Sequence, residues 1–218
     1  MRTVYSVKEI FYSLQGEGTH AGRSSVFCRF SGCNLWSGRE QDRHKAICNF
    51  CDTDFVGTDG NGGGKFASAD ELAIAVRAYW PAESHDVPYV ICTGGEPLLQ
   101  LDEVLVAAFH RQGFEVAIET NGTLPAPEGI DWICVSPKGS SEIVLTTGDE
   151  LKLVYPQPDA RPERFNNLNF SRFYLQPMAQ PGSTDLIATT STTEALDYCL
   201  KNPQWRLSLQ MHKYLGIE

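Results

Sequence analysis

Val90-Ile91-Cys92-Thr93-Gly94-Gly95-Glu96-Pro97 decides the fold class. Its first three residues are apolar and rich in β-branching, as in a buried strand. The two glycines then let the backbone turn and approach a neighbour closely, and Pro97 suits the first position of a helical turn. A strand handing over to a helix in this way is half of a parallel βαβ unit. Similar short apolar runs recur at 25–30, 115–119, 132–136, 150–154, 173–176 and 206–210, each read as a buried strand.

Helical patterns lie between several of these runs. Ser68 caps a helix reaching about Tyr79, with Glu71 completing a capping box and Leu72, Ala75, Val76 and Tyr79 on one face. Segments 101–112 and 192–202 have the same character and end near Gly or Pro. Right-handed βαβ repetition predicts an α/β fold of parallel strands, an incomplete (β/α) TIM-like barrel. Helical content is expected to be reduced, because 122–132 and 136–151 are short links containing Gly or Pro. The glycine-rich stretch 57–65 is expected to be a mobile loop within one domain spanning 1–218.

The formal net charge of -9, from 27 acidic against 18 basic residues, gives no footprint for nucleic acid. No apolar stretch approaches the roughly 20 residues a membrane span needs, and residues 1–9 lack the apolar core of a signal peptide. A cytoplasmic protein is expected.

The chain has 7 cysteines, an odd number that argues against a complete disulfide framework. Cys28, Cys92, Cys134 and Cys199 sit in apolar sequence and are expected in the core. Cys33, Cys48 and Cys51 differ: they form a C-x14-C-x2-C pattern, a pair on one tight turn joined by a third thiol across a long loop. Three converging thiolates suit either an iron–sulfur cluster with one iron left open or a zinc site completed by His44 or His20. Spacing alone leaves both open, and Gly94-Gly95-Glu96 at a strand end favours iron, since active sites of parallel barrels lie at that end. The segment Leu14-Gln15-Gly16-Glu17 has polar groups flanked by a close-approaching backbone, suited to a flat polar ring or to an ordinary turn. Arg29, in an apolar strand, needs an anion, either a ligand carboxylate or an internal acid.

With these motifs the chain resembles the radical S-adenosylmethionine superfamily, and within it the 7-carboxy-7-deazaguanine synthase family. The resemblance rests on residues 11–18, 27–30, 32–35, 50–53, 93–97, 119–122, 135–138 and 175–178, in family order. The superfamily's usual spacing is C-x3-C-x2-C, so residues 34–47 carry an insertion, expected to form an added element beside the cluster that tunes access for the electron donor.

The resemblance implies that Cys33, Cys48 and Cys51 hold a [4Fe–4S] cluster whose open iron binds S-adenosylmethionine. Phe50, Cys51, Asp52, Gly94, Gly95, Glu96, Ser136, Pro137, Lys138, Gln176, Pro177, Met178 and Ala179 would contact that cofactor. Leu14, Gln15, Gly16, Glu17, Arg29, Thr93, His212 and the terminal Glu218 would contact substrate, and Thr53 would ligate Mg2+. The implied reaction turns 6-carboxy-5,6,7,8-tetrahydropterin into 7-carboxy-7-deazaguanine with loss of ammonia, on the route to queuosine. A flavodoxin-like electron donor and a homodimer are expected. The rival within the superfamily is a glycyl-radical activating enzyme, which would need a groove for a protein substrate; the rival outside it is a zinc-stabilised binding module.

Overall fold

A computed structural model describes residues 4–179 and 189–217. Helix α1 (Ala69–Arg77) begins where Ser68 accepts a hydrogen bond from the Glu71 amide at 3.2 Å, while Glu71 in turn accepts from the Ala67 amide at 2.8 Å. Asp102 caps α2 (Glu103–Arg111) by accepting from the Leu105 amide. It also accepts from the Tyr5 hydroxyl at 2.8 Å, tying that cap to the first strand. Both helices turn an apolar stripe inward. Leu72, Leu105 and Phe109 are fully buried against the sheet, each worth about 1.5–3 kcal/mol of transfer free energy.

Among the described residues, nine strands form one open sheet: β1 (Tyr5–Leu14), β2 (Ser24–Phe30), β3 (Gly64–Phe66), β4 (Tyr89–Gly94), β5 (Glu115–Thr120), β6 (Trp132–Val135), β7 (Thr147–Tyr155), β8 (Asn169–Pro177) and β9 (Trp205–Leu207). Their order is β3-β1-β2-β4-β5-β6-β7-β8-β9. From β2 to β9 every pairing is parallel, giving the α/β partial barrel. Helix α3 (Thr190–Lys201) packs over β8 and β9 in a second apolar cluster with Phe173, Ala195 and Trp205. Among the described residues, the β5–β6 and β6–β7 links carry no helix, so the outer layer is thin there.

Two features depart from an all-parallel sheet. β1 runs antiparallel to β2, and β3 antiparallel to β1. The glycine-rich stretch is also held in place, contrary to a loose loop. Ile10 N donates to Asn61 O at 2.7 Å and Gly60 N to Lys8 O at 2.9 Å, while Lys8 Nζ reaches Asp54, Val56 O and Asp59. A Cβ on Gly63 would lie 2.2 Å from Lys8 O, so glycine is what permits this close strapping.

The direction of β1 positions the site. Its C-terminal end arrives at the face where the parallel strands begin, and the following loop folds into the half-barrel from there. Gly18 N donates to Ser208 Oγ at 2.9 Å and Thr19 N to Glu150 Oε2 at 2.8 Å, so the loop fills the space between the two ends of the open sheet.

Candidate active site

A cavity of about 440 Å³ opens at the C-terminal ends of the parallel strands, within the range of small-molecule sites. Cys33, Cys48 and Cys51 all line it as free thiols. Cys33 follows β2 after Gly32, whose φ of 91° favours glycine, and its sulfur accepts from the Leu35 amide at 3.4 Å. The remaining pair lies just past a 3-10 helix at Glu40–Lys45, the regular element inside the long spacer. A hydrogen bond from Cys48 to Cys51 holds the Cys51 thiol below its ordinary range, and the same bond, with burial, pushes Cys48 up. The pair therefore favours one shared proton and one thiolate, the form that binds metal.

Neither His44 nor His20 joins the three thiols to complete a zinc site. His44 is exposed, and His20 sits at the other end of the strands, 2.7 Å from the Tyr89 hydroxyl. Among the described residues, no three His, Cys, Asp or Glu side chains close on a single ion. Three free thiols on one cavity wall without a fourth fit a cluster that leaves one metal open to a ligand.

The glycines of the β4 turn are explained by contact with the cysteine turn. A Cβ on Gly95 would lie 2.2 Å from Gly32 O and 2.8 Å from the Cys33 Cβ, and Glu96 N donates to Gly32 O at 2.9 Å. Gly94 and Gly95 line the cavity; Glu96 does not. Its carboxylate is fully buried and accepts from the Leu98 amide, the Thr120 hydroxyl and the Asn121 amide at 2.9, 2.7 and 2.8 Å. The side chain expected to meet a ligand is instead spent on bracketing the ends of β4 and β5. Pro137 is likewise buried behind the lining, while Ser136 and Lys138 beside it face the cavity. Lys138 Nζ donates to Ser136 O at 2.8 Å and contacts Ser136 Oγ, and its charge acts on both Cys48 and Cys51.

The cavity floor is polar. Lys152 Nζ, only 3% exposed, lies 2.8 Å from Glu17 and 2.9 Å from Glu119. Glu119 also accepts from Gln15 Nε2 at 3.1 Å, and Glu17 accepts from Gln176 Nε2 at 3.1 Å and Gln210 Nε2 at 3.0 Å. The two carboxylates are driven apart. Burial raises both, but Lys152 and Gln210 bring Glu17 down to about 2, while Glu119 stays above the ordinary carboxylate value. Such a divided pair offers one fixed anion and one group able to hold a proton.

Leu14, Gln15, Gly16, Arg29, Thr93, His212 and Thr53 all line the same cavity, as do Phe50 and Asp52 on the cysteine side, Gln176 and Pro177 at the end of β8, and Met178 and Ala179 just past it. Arg29 lies 2.7 Å from Glu9, so the internal acid weighed for it is present while its guanidinium still borders the cavity. Helix α4 (Met211–Leu215) closes over the loop after β1: Met211 N donates to Gly16 O, and a Cβ on Gly16 would lie 2.4 Å from His212 Nδ1. Lys213, 2.6 Å from Asp52, ties that helix to the cysteine turn. Glu218 lies outside the described residues.

Sequence reasoning assigned no role to Lys152, Glu119 or Gln210. Lys152 has a legible signal: a cation between Leu151 and Leu153 in the apolar half of β7, with Glu119 two strands away on β5. Gln210 carries none, because its place depends on how the tail folds back.

The sequence signature of the Radical SAM superfamily matches residues 43–154, and the chain belongs to that superfamily. The match opens ten residues past Cys33, where the long spacer departs from the compact motif. Membership implies a [4Fe–4S] cluster and S-adenosylmethionine. The 7-carboxy-7-deazaguanine synthase of Caulobacter vibrioides is 63% identical over 213 residues, covering 98% of this chain and 99% of that one. The enzyme of that name from Bordetella pertussis is 65% identical with the same coverage. The crystal structure of QueE from Escherichia coli aligns with a TM-score of 0.70 at 26% identity, covering 96% of this chain and 95% of that one. Within the superfamily, the chain belongs to the 7-carboxy-7-deazaguanine synthase family.

Proposed function

We propose that this chain, a single catalytic domain with a cluster-binding insertion at 34–47, is a carbon–nitrogen lyase of 7-deazapurine biosynthesis. It converts 6-carboxy-5,6,7,8-tetrahydropterin to 7-carboxy-7-deazaguanine with loss of ammonia. The observation that carries this reading is one cavity with three thiols on its wall and a floor of Gln15, Glu17, Glu119 and Lys152. When bound, the cluster and S-adenosylmethionine supply the one-electron cleavage that starts radical chemistry.

The chain's own residues divide the remaining work. Cys33, Cys48 and Cys51 hold the cluster. Phe50, Asp52, Gly94, Gly95, Ser136, Lys138 and residues 176–179 cradle the methionine and adenosine parts, with Glu96 and Pro137 supporting them from behind. Gln15, Gly16 and Glu17, with Leu14 and His212 beside them, read the pyrimidine edge of the pterin. Arg29 and Thr93 meet its carboxylate, and Thr53 presents a hydroxyl to Mg2+. A flavodoxin-like protein is the electron donor, and the working unit is a cytoplasmic homodimer. Among the described residues no helix is long and apolar enough to cross a membrane.

Anaerobic incubation of the iron-loaded chain with dithionite, S-adenosylmethionine, Mg2+ and the tetrahydropterin tests the assignment. Mass analysis is expected to show the deazaguanine acid and ammonia. Cleavage of S-adenosylmethionine without that product would defeat the substrate assignment while leaving superfamily membership standing.

A further inference from the structure

Arg43 lies in the inserted segment, on the 3-10 helix Glu40–Lys45, outside the group of residues that line the cavity. Its guanidinium is nevertheless engaged on several sides. Nη1 donates to the carbonyls of Asn49 and Cys51 at 3.0 and 2.9 Å, so one nitrogen grips the backbone on both sides of Phe50. The Cζ stands 4.1 Å from the ring centroid of Trp36, a buried side chain that meets the buried Phe55 edge-on. Nε lies 2.8 Å from the exposed Glu40, which keeps the planar fork turned toward the cysteine turn.

We propose that Arg43 is a positioning residue that fixes the Cys48–Cys51 turn and raises the reduction potential of the cluster it holds. The inference rests on the function proposed above. Two effects act in the same direction. A cation behind the thiolates favours the more negative, reduced cluster. In addition, a trans peptide sets its N–H opposite its C=O. Gripping the Asn49 and Cys51 carbonyls therefore turns the Phe50 and Asp52 N–H groups away from the guanidinium, toward the cavity those residues line. Hydrogen bonds to cluster sulfur are among the factors that set its potential. The insertion thus has a task at the cluster itself, distinct from docking a donor protein.

The test uses the full chain, reconstituted anaerobically as wild type, Arg43→Gln and Arg43→Lys. Circular dichroism checks the fold, iron is counted per chain, and the potential is read by a dithionite titration followed by electron paramagnetic resonance without S-adenosylmethionine. Arg43→Gln is expected to lower the reduction equilibrium constant at least tenfold, 59 mV for a one-electron couple. Arg43→Lys, which keeps the charge and loses the fork, should shift it the same way by less. If Arg43→Gln holds no iron, Arg43→Lys carries the measurement. A shift below threefold in iron-loaded Arg43→Gln overturns this inference alone. A wild-type chain that takes up no iron overturns the proposed function and this inference with it.

Discussion

Lys152 Nζ lies 2.8 Å from Glu17 Oε2, joining the middle of β7 to the loop that enters the half-barrel after β1. Burial alone would discharge this lysine, but the carboxylates Glu119, Glu17 and Glu150 keep its proton on. Lys152→Met would leave Glu17 and Glu119 facing one another without a cation between them. Removing one partner of a buried ion pair costs about 3–5 kcal/mol. Urea unfolding of the metal-free chain is expected to register a loss of that order. The cysteine wall should still take up iron, because the ion-pair partners of Lys152 are Glu17 and Glu119 and not Cys33, Cys48 or Cys51. Unchanged stability in Lys152→Met would mean that the two acids find other compensation.

Acid stability follows from the same network. Glu17 has its folded pKa brought from 4.5 to about 2, so its contribution is fully present above pH 4.5 and is lost as pH falls through about 2. Glu119, raised by burial, contributes the opposite slope as pH rises above 4.5. Glu17→Gln is therefore to be compared with the parent chain at each pH. The parent's stability advantage over the variant should shrink between pH 4.5 and about 2. A constant difference across that window would show that Glu17 does not titrate low in the folded state.

The elements missed by sequence reading share a physical cause. β1 does not read as a strand because a bulge between Val7 and Glu9 breaks its period-two alternation, putting Val7 and Lys8 both inside and then Ile10 and Phe11 both inside. The ordered glycine run 57–65 depends on β1, since its partners are Lys8 and Ile10, so losing one element lost the other. By contrast, β4 announced itself through local chemistry alone, an apolar run ending in two glycines. The cysteine wall was legible because its residues cluster in sequence. The acid–lysine floor is legible only in Gln15, Glu17 and Gln176, because Glu119, Lys152 and Gln210 join it from β5, β7 and the approach to α4, far apart in sequence.

The seven thiols should separate cleanly by role. Cys28, Cys92 and Cys134 are fully or almost fully buried in the sheet and lie outside the cavity lining that holds Cys33, Cys48 and Cys51, so they are out of reach of a cluster bound there. Alanine at Cys33, Cys48 or Cys51 is expected to abolish the brown colour and reduce bound iron several-fold after anaerobic reconstitution. Alanine at Cys28 should leave iron content unchanged and cost about 1–2 kcal/mol through lost packing. Iron loss in the Cys28 variant together with retention in the Cys33 variant would reverse the assignment.

Glu96 gives the sharpest separation between a ligand-binding and a supporting role. Its two carboxylate oxygens accept from three donors, and the Thr120 oxygen is already accepting from Gly122 N at 3.1 Å, which directs the Thr120 hydroxyl hydrogen to Glu96. In Glu96→Gln the new amide nitrogen must face either the Thr120 and Leu98 donors or the Asn121 donor. A buried donor left without an acceptor costs about 1–3 kcal/mol. For a chain of this length that lowers the melting temperature by roughly 2–4 °C per kcal/mol. The damage should also spread toward Cys33, because Asn121 Nδ2 donates to Asn34 Oδ1 at 2.9 Å. A supporting role predicts that the metal-free chain melts earlier with no ligand present. A role confined to holding S-adenosylmethionine predicts an unchanged melt and a change only in cofactor affinity, and calorimetry of the metal-free variant distinguishes the two.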